Sequence, residues 1–314
     1  MANTKKRTSS RKRRSTIPIW MSLLILVFML CVTLVLELSD IAPIFTGKQE
    51  FEVSGGTMEI HMIDVGQADS ILVSVPGYNI LFDAGKRSEA TEIITYLDAL
   101  GVTELDCVVF THSDSDHIGG GAAVIEKYEV GEVFMEPYDY GTPTKTYSTL
   151  HDTIVSKGIP IVDPTANAKY ERGDNGDLKI KVLGPVEDYK DKNEDSIVMR
   201  LDFGSTSLLM TGDAGKEAEL DILNTYSRSE LDCDILKVGH HGSKTSSCEE
   251  FLKVVTPEYA LISSDSEDGN DYGHPHLETL SALESIGAQI YRTDTLGSIV
   301  LVTDGETITL KEKP

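Results

Sequence analysis

Beyond its first fourteen residues the chain is poor in positive charge. Lys5, Lys6, Arg7, Arg11, Lys12, Arg13 and Arg14 take seven of the 28 basic side chains, leaving 21 against 51 acidic ones for the rest. A body this acidic repels phosphate at a distance, which excludes nucleic-acid binding through a general basic field. Any chemistry on a polyanion has to be local and aided by metal. Cysteine is equally scarce. Of the four, Cys31 lies inside an apolar run, and Cys107, Cys233 and Cys248 form an odd, widely spaced set, so no disulfide framework is expected. Cys107 (in LDCVVF) and Cys233 (in LDCDILKV) precede apolar runs and read as buried strand residues. Proline and glycine do not dominate, charged residues reach only 25%, and no short repeat is present, which removes disordered, collagen-like and low-complexity readings. What is there is 314 residues with 40% hydrophobic content, enough for one large domain or two small ones.

Residues 17–36 (IPIWMSLLILVFMLCVTLVL) carry no charge, and Glu37 ends the run. At about 1.5 Å per residue such a helix spans roughly 30 Å, the thickness of a bilayer core. A cleavable signal has a shorter apolar stretch, about 7–15 residues, followed by small residues at the cut. Here Glu37-Leu38-Ser39-Asp40 follows instead. The expectation is one retained transmembrane helix. The basic tail (1–16) is then held in the cytoplasm by the positive-inside rule, and the body lies on the extracellular side of the cell membrane. Residues 37–56 read as a linker broken by Pro43, Gly47, Gly55 and Gly56, and 57–314 as the folded domain.

That domain is strand-rich. MEIHMIDV, SILVSV and NILFDAG give three short strands with turns at Gly66-Gln67 and Pro76-Gly77. A helix over SEATEIITYLDALG, closed by Gly101, places Ile93, Ile94, Leu97 and Leu100 on one face. DCVVF is a strand running into a polar loop, with a helix starting near Gly119. The second half repeats the style, with helices expected over Ala214 to Tyr226, Glu249–Val255 and after Pro275. Strands with helices interspersed in both halves predict an α/β fold of two packed sheets covered by helices.

Polar clusters end four of these apolar strands, where such folds place their sites. They are Asp83 after NILF, residues 111–117 (THSDSDH) after DCVVF, Asp213 in LLMTGDAG, and His240-His241 in LKVGHHGS. The 111–117 cluster is the sharpest. Its two histidines and two aspartates are too dense for a simple helix cap. His112 with Asp114, and Asp116 with His117, can face two adjacent ions, and imidazole with carboxylate suits Zn, Mn or Fe. Asp213 alone reads equally as a helix N-cap, and gains weight as a carboxylate bridging two metals. His240 and His241, adjacent on an extended segment, are expected to diverge, one ligating and the other donating a proton or supporting a ligand from behind. Asp83 is expected to hold a ligand histidine by its other nitrogen.

With these residues the chain resembles a metallo-β-lactamase-fold hydrolase, and more narrowly the extracellular domain of ComEC-type competence (DNA-uptake) proteins. The resemblance runs in order over residues 58–303: His61-Met-Ile-Asp64-Val-Gly66-Gln67-Ala68-Asp69-Ser70, NILFDAG, THSDSDHIGG, Asn193 to Ser196, LLMTGDA, LKVGHHGS, Tyr272-Gly-His274-Pro-His276, and YRTD with Gly297. It implies an αββα sandwich holding one or two divalent ions, Zn or Mn, on His112, Asp114, Asp116, His117, Asp213, His240 and His241. Asp64, Asp69, Asp83, Asn193 and Ser196 would support those ligands. Asp114 stands where the wider superfamily carries a second histidine, and a later ligand histidine is absent, since only His151 lies between His117 and His240. Both departures favour a harder ion such as Mn.

The implied activity is hydrolysis of a phosphodiester, of DNA or of a cell-wall polymer, at the outer membrane surface. Catalysis falls to Asp116, His240, His274 and His276, with a histidine of the last pair protonating the leaving oxygen. A phosphorylcholine esterase, a lactonase and a non-catalytic metal-binding surface module are the alternatives. The polytopic channel of the competence proteins is missing, so translocation of DNA is not implied, and no protein partner can be inferred.

Overall fold

The computed structural model describes residues 55–266 and 270–311, and the apolar run 17–36 lies outside them. Among the described residues no helix is long and apolar enough to cross a membrane. The first half of the chain supplies β1 (Met58–Met62), β2 (Ile71–Val75), β3 (Tyr78–Phe82), β4 (Glu104–Phe110), β5 (Glu129–Met135) and β6 (Ile161–Val162). Next come β7 (Lys169–Arg172), β8 (Leu178–Gly184), β9 (Val198–Phe203), β10 (Thr206–Met210) and β11 (Ile235–Lys237). The chain closes with β12 (Tyr259–Ile262), β13 (Gln289–Arg292), β14 (Ile299–Thr303) and β15 (Ile308–Leu310).

These strands form an eight-stranded sheet in the order β15-β14-β1-β2-β3-β4-β5-β6 and a seven-stranded sheet in the order β13-β12-β11-β10-β9-β8-β7. Each sheet is antiparallel on one side and parallel on the other. The parallel parts are β3-β4-β5-β6 and β10-β11-β12-β13. Alternation along the strands sets the layers. Ile80 and Phe82 of β3 face the other sheet, in a core with Met199, Leu201 and Met210, while Leu81 between them packs outward with Ile93, Leu97, Leu150 and Ile154 of the covering helices. On the far sheet Leu209, Leu236 and Ala260 pack outward with Ile222, Phe251 and Leu283. The result is an αββα sandwich, as the strand and helix patterns predict.

Several details differ from the sequence reading. Over residues 87–99 a short 3₁₀ turn (Arg87–Glu89) precedes the helix Ala90–Ala99, and Leu100 is left 44% exposed just past its end. The expected single helix after the 111–117 loop is two pieces, Ser115–Ile118 and Gly121–Lys127. Cys233 is buried but sits in the loop before β11 and not in a strand, whereas Cys107 lies in β4 as expected. Cys107, Cys233 and Cys248 are free thiols.

Candidate metal centre

The parallel strands β3, β4, β10, β11 and β12 end in loops that carry Asp83, residues 111–117, Asp213, His240-His241 and Ser263. Ligand sites of α/β sheets gather at such carboxyl ends. Here the two sheets contribute jointly. Asp213 follows Gly212, whose φ of +52° and close fit suit only glycine, because a Cβ there would lie 2.9 Å from the Thr111 Cβ. The Asp213 amide donates to Ser196 Oγ (3.1 Å), and the Ser196 amide in turn donates to the Asn193 carbonyl (3.0 Å). Asp213 is therefore not a helix cap: the following helix, Lys216–Thr225, begins after Gly215. Asp116 likewise does not cap, since it lies inside the turn Ser115–Ile118 and points its carboxylate toward His241.

The side chains converge on Asp213 Oδ2. His117 Nε2 lies 3.4 Å from it, His240 Nε2 3.7 Å, His241 Nε2 3.9 Å and His112 Nε2 4.0 Å. Asp116 Oδ2 is 3.6 Å from His241 Nε2. Three overlapping groups of potential ligands result: His112, His117 and Asp213; Asp116, His117 and His241; and Asp69, Asp83 and His117. His117 is common to all three. Asp114 stands at the margin, with Oδ2 4.0 Å from His112 Nε2 and Oδ1 accepting from Lys192 Nζ at 2.7 Å.

His240 and His241 overturn the expectation of an extended, divergent pair. Both take left-handed backbone conformations (φ +49° and +53°), inside the turn Gly239–Gly242. That turn swings both rings toward the same carboxylate. Left-handed backbone is uncommon outside glycine, and two such residues in succession are held only because their surroundings over-determine them. Gly242 closes the turn, where a Cβ would come within 2.5 Å of Pro275.

A layer of polar groups beneath the cluster fixes the rings. Asp83 accepts from the Thr111 amide (2.8 Å) and hydroxyl (2.7 Å), and pairs with His117 Nδ1 at 2.8 Å. His241 Nδ1 is 3.1 Å from the Ser263 carbonyl. Asp69 lies fully buried between the two sheets, ion-paired to Lys237 (2.7 Å), accepting from Ser263 Oγ and 3.5 Å from His241 Nδ1. Asp64 contacts none of the ligand groups; its carboxylate accepts from the Gly66 amide at the turn. Asn193 reaches the centre through its backbone carbonyl, which accepts from the Ser196 amide, while its own amide donates to Asp191 Oδ1 (3.0 Å).

The electrostatics demand a positive charge at the centre. Burial alone would lower the pKa of His117, but the Asp213 and Asp83 carboxylates outweigh it and hold the ring charged well above its ordinary range. Burial opposes ionisation of Asp213 too, yet His117 and His241 keep it well below the usual carboxylate value. His112 is pushed down to about 4 by burial and by the adjacent His117. His274 is pushed down to about 4 by burial and then by His240, His241 and His276. A divalent ion fits this donor set on one observation: His112 Nε2, His117 Nε2, His241 Nε2 and Asp213 Oδ1 are buried without any hydrogen-bond partner. Orphaned polar atoms of this kind are rare in folded proteins, and three around a carboxylate with an orphaned oxygen of its own leave room for a cation.

The comparisons agree with this geometry. Residues 63–266 match the family model described as the metallo-beta-lactamase superfamily. The chain belongs to that superfamily. Among curated relatives, ComE operon protein 3 of Bacillus subtilis (strain 168) is 32% identical over 263 residues, covering 77% of this chain and 32% of that protein. Competence protein ComA of Neisseria gonorrhoeae is 32% identical over 238 residues, 75% of this chain and 31% of that protein. Both are ComEC-type competence proteins, and the chain spans about a third of their length. Among solved structures, the metallo-beta-lactamase fold protein YhfI of Bacillus subtilis aligns with a TM-score of 0.50 at 13% identity, over 79% of this chain and all of that one, a likeness of fold alone.

Some residues of the centre escaped the sequence reading. Lys237 is 1% exposed and bonds Asp69 as well as the Val238 carbonyl (2.9 Å). Its signal was a lysine inside the apolar strand DILKVG, since fully buried lysines are almost always paired. The Gln67 amide nitrogen lies 3.0 Å from His274 Nδ1 and holds a ring that nothing in the sequence tied to it. His276 Nδ1 accepts from the Lys244 amide at 3.1 Å, which ties His276 to the turn after His240-His241.

Proposed function

We propose that the chain is a membrane-anchored, metal-dependent phosphodiesterase of the ComEC-like type, its catalytic domain on the outer face of the membrane. The convergence of unpartnered His112, His117 and His241 nitrogens on Asp213 carries this reading. His112, His117, His241, Asp116 and Asp213 would hold one or two divalent ions, Mn or Zn, with Asp114 at the margin. Such ions supply Lewis acidity toward a phosphoryl oxygen and an acidified water.

The chain's own residues do the rest. Asp83 and the Ser263 carbonyl orient His117 and His241 so that Nε2 of each points inward. Of the adjacent pair, His241 is the buried one with an orphaned nitrogen and takes the ligand role, while His240 is half-buried on the solvent side with its Nδ1 3.3 Å from Thr245 Oγ1. His274 sits with its ring centre 5.5 Å from that of His240. Both are held uncharged at neutral pH, first by burial. A neutral imidazole N–H there can donate a hydrogen bond to the leaving oxygen and so stabilise the charge that develops on it.

The membrane anchor rests on residues 17–36 and their basic flank. The names of the competence relatives favour nucleic acid as a substrate class. The test is hydrolysis of bis(p-nitrophenyl) phosphate and of single-stranded DNA by the purified full-length chain with added Mn or Zn. Turnover abolished by Asp213→Asn, with the fold retained by circular dichroism, supports the reading. No turnover of either substrate with either metal refutes it.

A further inference from the structure

A cavity of about 460 Å³ opens between β5, β6 and the helix Lys145–Lys157. That volume lies within the range of small-molecule sites. A narrow depression lined by five of the same residues, Met135, Glu136, Pro137, Tyr138 and Tyr147, continues to His112 and Ser113. Through that depression the cavity is connected to one proposed metal ligand, His112.

Its lining has a definite chemistry. Tyr138 packs 4.8 Å from Tyr147 and 5.4 Å from Tyr140, and Tyr147 stacks on His151 at 6.0 Å, ring centre to ring centre. Two of the tyrosine hydroxyls are tied back: Tyr140 Oη donates to Asp195 (2.7 Å) and Tyr147 Oη lies 3.4 Å from the Glu136 carbonyl. Around this aromatic group stand the carboxylates of Glu136, Asp152 and Asp163, and no lysine or arginine lines the cavity. The half-buried Glu136 carboxylate has no cationic partner among the described residues. Burial, with Asp195, Asp163 and Asp188 nearby, pushes its pKa up to about 8, so the empty group is largely protonated at pH 7 and ionises as pH rises or as a cation enters beside it.

Aromatic faces combined with carboxylates that no lysine or arginine neutralises attract organic cations and repel anions. A phosphate or nucleotide chain would meet three acidic groups with no lysine or arginine in the lining to offset them. We propose that this cavity is a subsite for an alkylammonium group carried by the phosphodiester that the metal centre cleaves. The assignment rests on the phosphodiesterase reading only for what the ammonium is attached to. The binding of the cation stands on the cavity itself.

Two measurements on the full-length chain in nonionic detergent test it. First, tetramethylammonium is titrated at pH 9, where Glu136 is ionised, and at constant ionic strength against wild type, Glu136→Gln and Tyr138→Ala, with sodium as the control cation. Saturable binding, weakened roughly tenfold in either variant, is expected. Second, hydrolysis is compared for two aryl phosphodiesters of equal size, one ending in a trimethylammonium group and one in a neutral tert-butyl group. The ammonium substrate should have a lower KM, the preference should vanish in Glu136→Gln, and turnover of bis(p-nitrophenyl) phosphate should stay as in wild type. No tetramethylammonium binding, binding indifferent to both substitutions, or a preference for the neutral substrate overturns the proposal. If neither diester is cleaved while Glu136-dependent tetramethylammonium binding persists, the phosphodiesterase reading fails and the cation subsite stands.

Discussion

Replacing Asp83 by asparagine removes one negative charge and no volume, and its effect follows from three contacts. Asp83 Oδ1 accepts from the Thr111 amide, while Oδ2 accepts from the Thr111 hydroxyl and faces His117 Nδ1 at 2.8 Å. If the asparagine oxygen keeps the Thr111 amide, its NH₂ replaces Oδ2 and meets two donors. The hydroxyl can rotate to accept; the imidazole can comply only by shifting its proton to Nε2. That nitrogen is the one 3.4 Å from Asp213, and a protonated nitrogen cannot ligate. Losing a group that orients a ligand histidine typically weakens metal binding about 10–100-fold, on the order of 1.4–2.7 kcal/mol. Calorimetric titration of chelator-treated wild type and Asp83→Asn with Mn and with Zn measures it directly. A variant that binds metal as tightly as wild type, folded or partly destabilised, refutes the claim that Asp83 sets the state of His117.

Further outcomes are expected. Lys237→Met strands the Asp69 carboxylate between the sheets, at a cost of roughly 3–5 kcal/mol in urea unfolding of the metal-free chain, whereas Lys237→Met with Asp69→Leu should cost much less; equal losses would mean the pair's charge is immaterial. Because His117 holds a proton above its ordinary range without metal, binding should expel about one proton at pH 7 and affinity should fall as pH drops. Enthalpies identical in buffers of different ionisation heat would contradict this. Cleavage of DNA should quicken as salt rises to about 0.1 M, where the screening length is roughly 10 Å, because the body is strongly acidic. Fastest cleavage at the lowest salt would reveal a basic groove that the net charge hides.

The layered architecture was legible because strand alternation and helical spacing both appear in short runs such as NILF and EIITYLDAL, where a few apolar residues decide the face. The 111–117 loop was legible for its density of ligand-type residues. What the sequence could not show were contacts between distant segments. Lys237 meets Asp69 across 168 positions, and Gln67 meets His274 across 207. Neither pairing leaves a local pattern. The geometry of His240-His241 was misread for a related reason. Adjacent side chains diverge on extended backbone, whereas the left-handed turn, with Gly242 close against Pro275 and the His240 amide donating to the Gly212 carbonyl, brings both rings together. The cavity lined by Tyr138, Tyr147 and Glu136 was invisible because its walls come from a strand end, a loop and a helix whose polar residues look unremarkable in sequence.

The central claim is that the buried histidines and carboxylates around Asp213 hold divalent metal. Elemental analysis of the full-length chain, purified without chelator, tests it most directly against the double variant Asp116→Ala, His117→Ala. Each variant is first shown by circular dichroism to be folded. The account predicts at least one equivalent of a transition metal in wild type and its loss from the double variant. Metal-free wild-type protein that also takes up no Mn or Zn on dialysis, or metal content unaltered by the two substitutions, would contradict it.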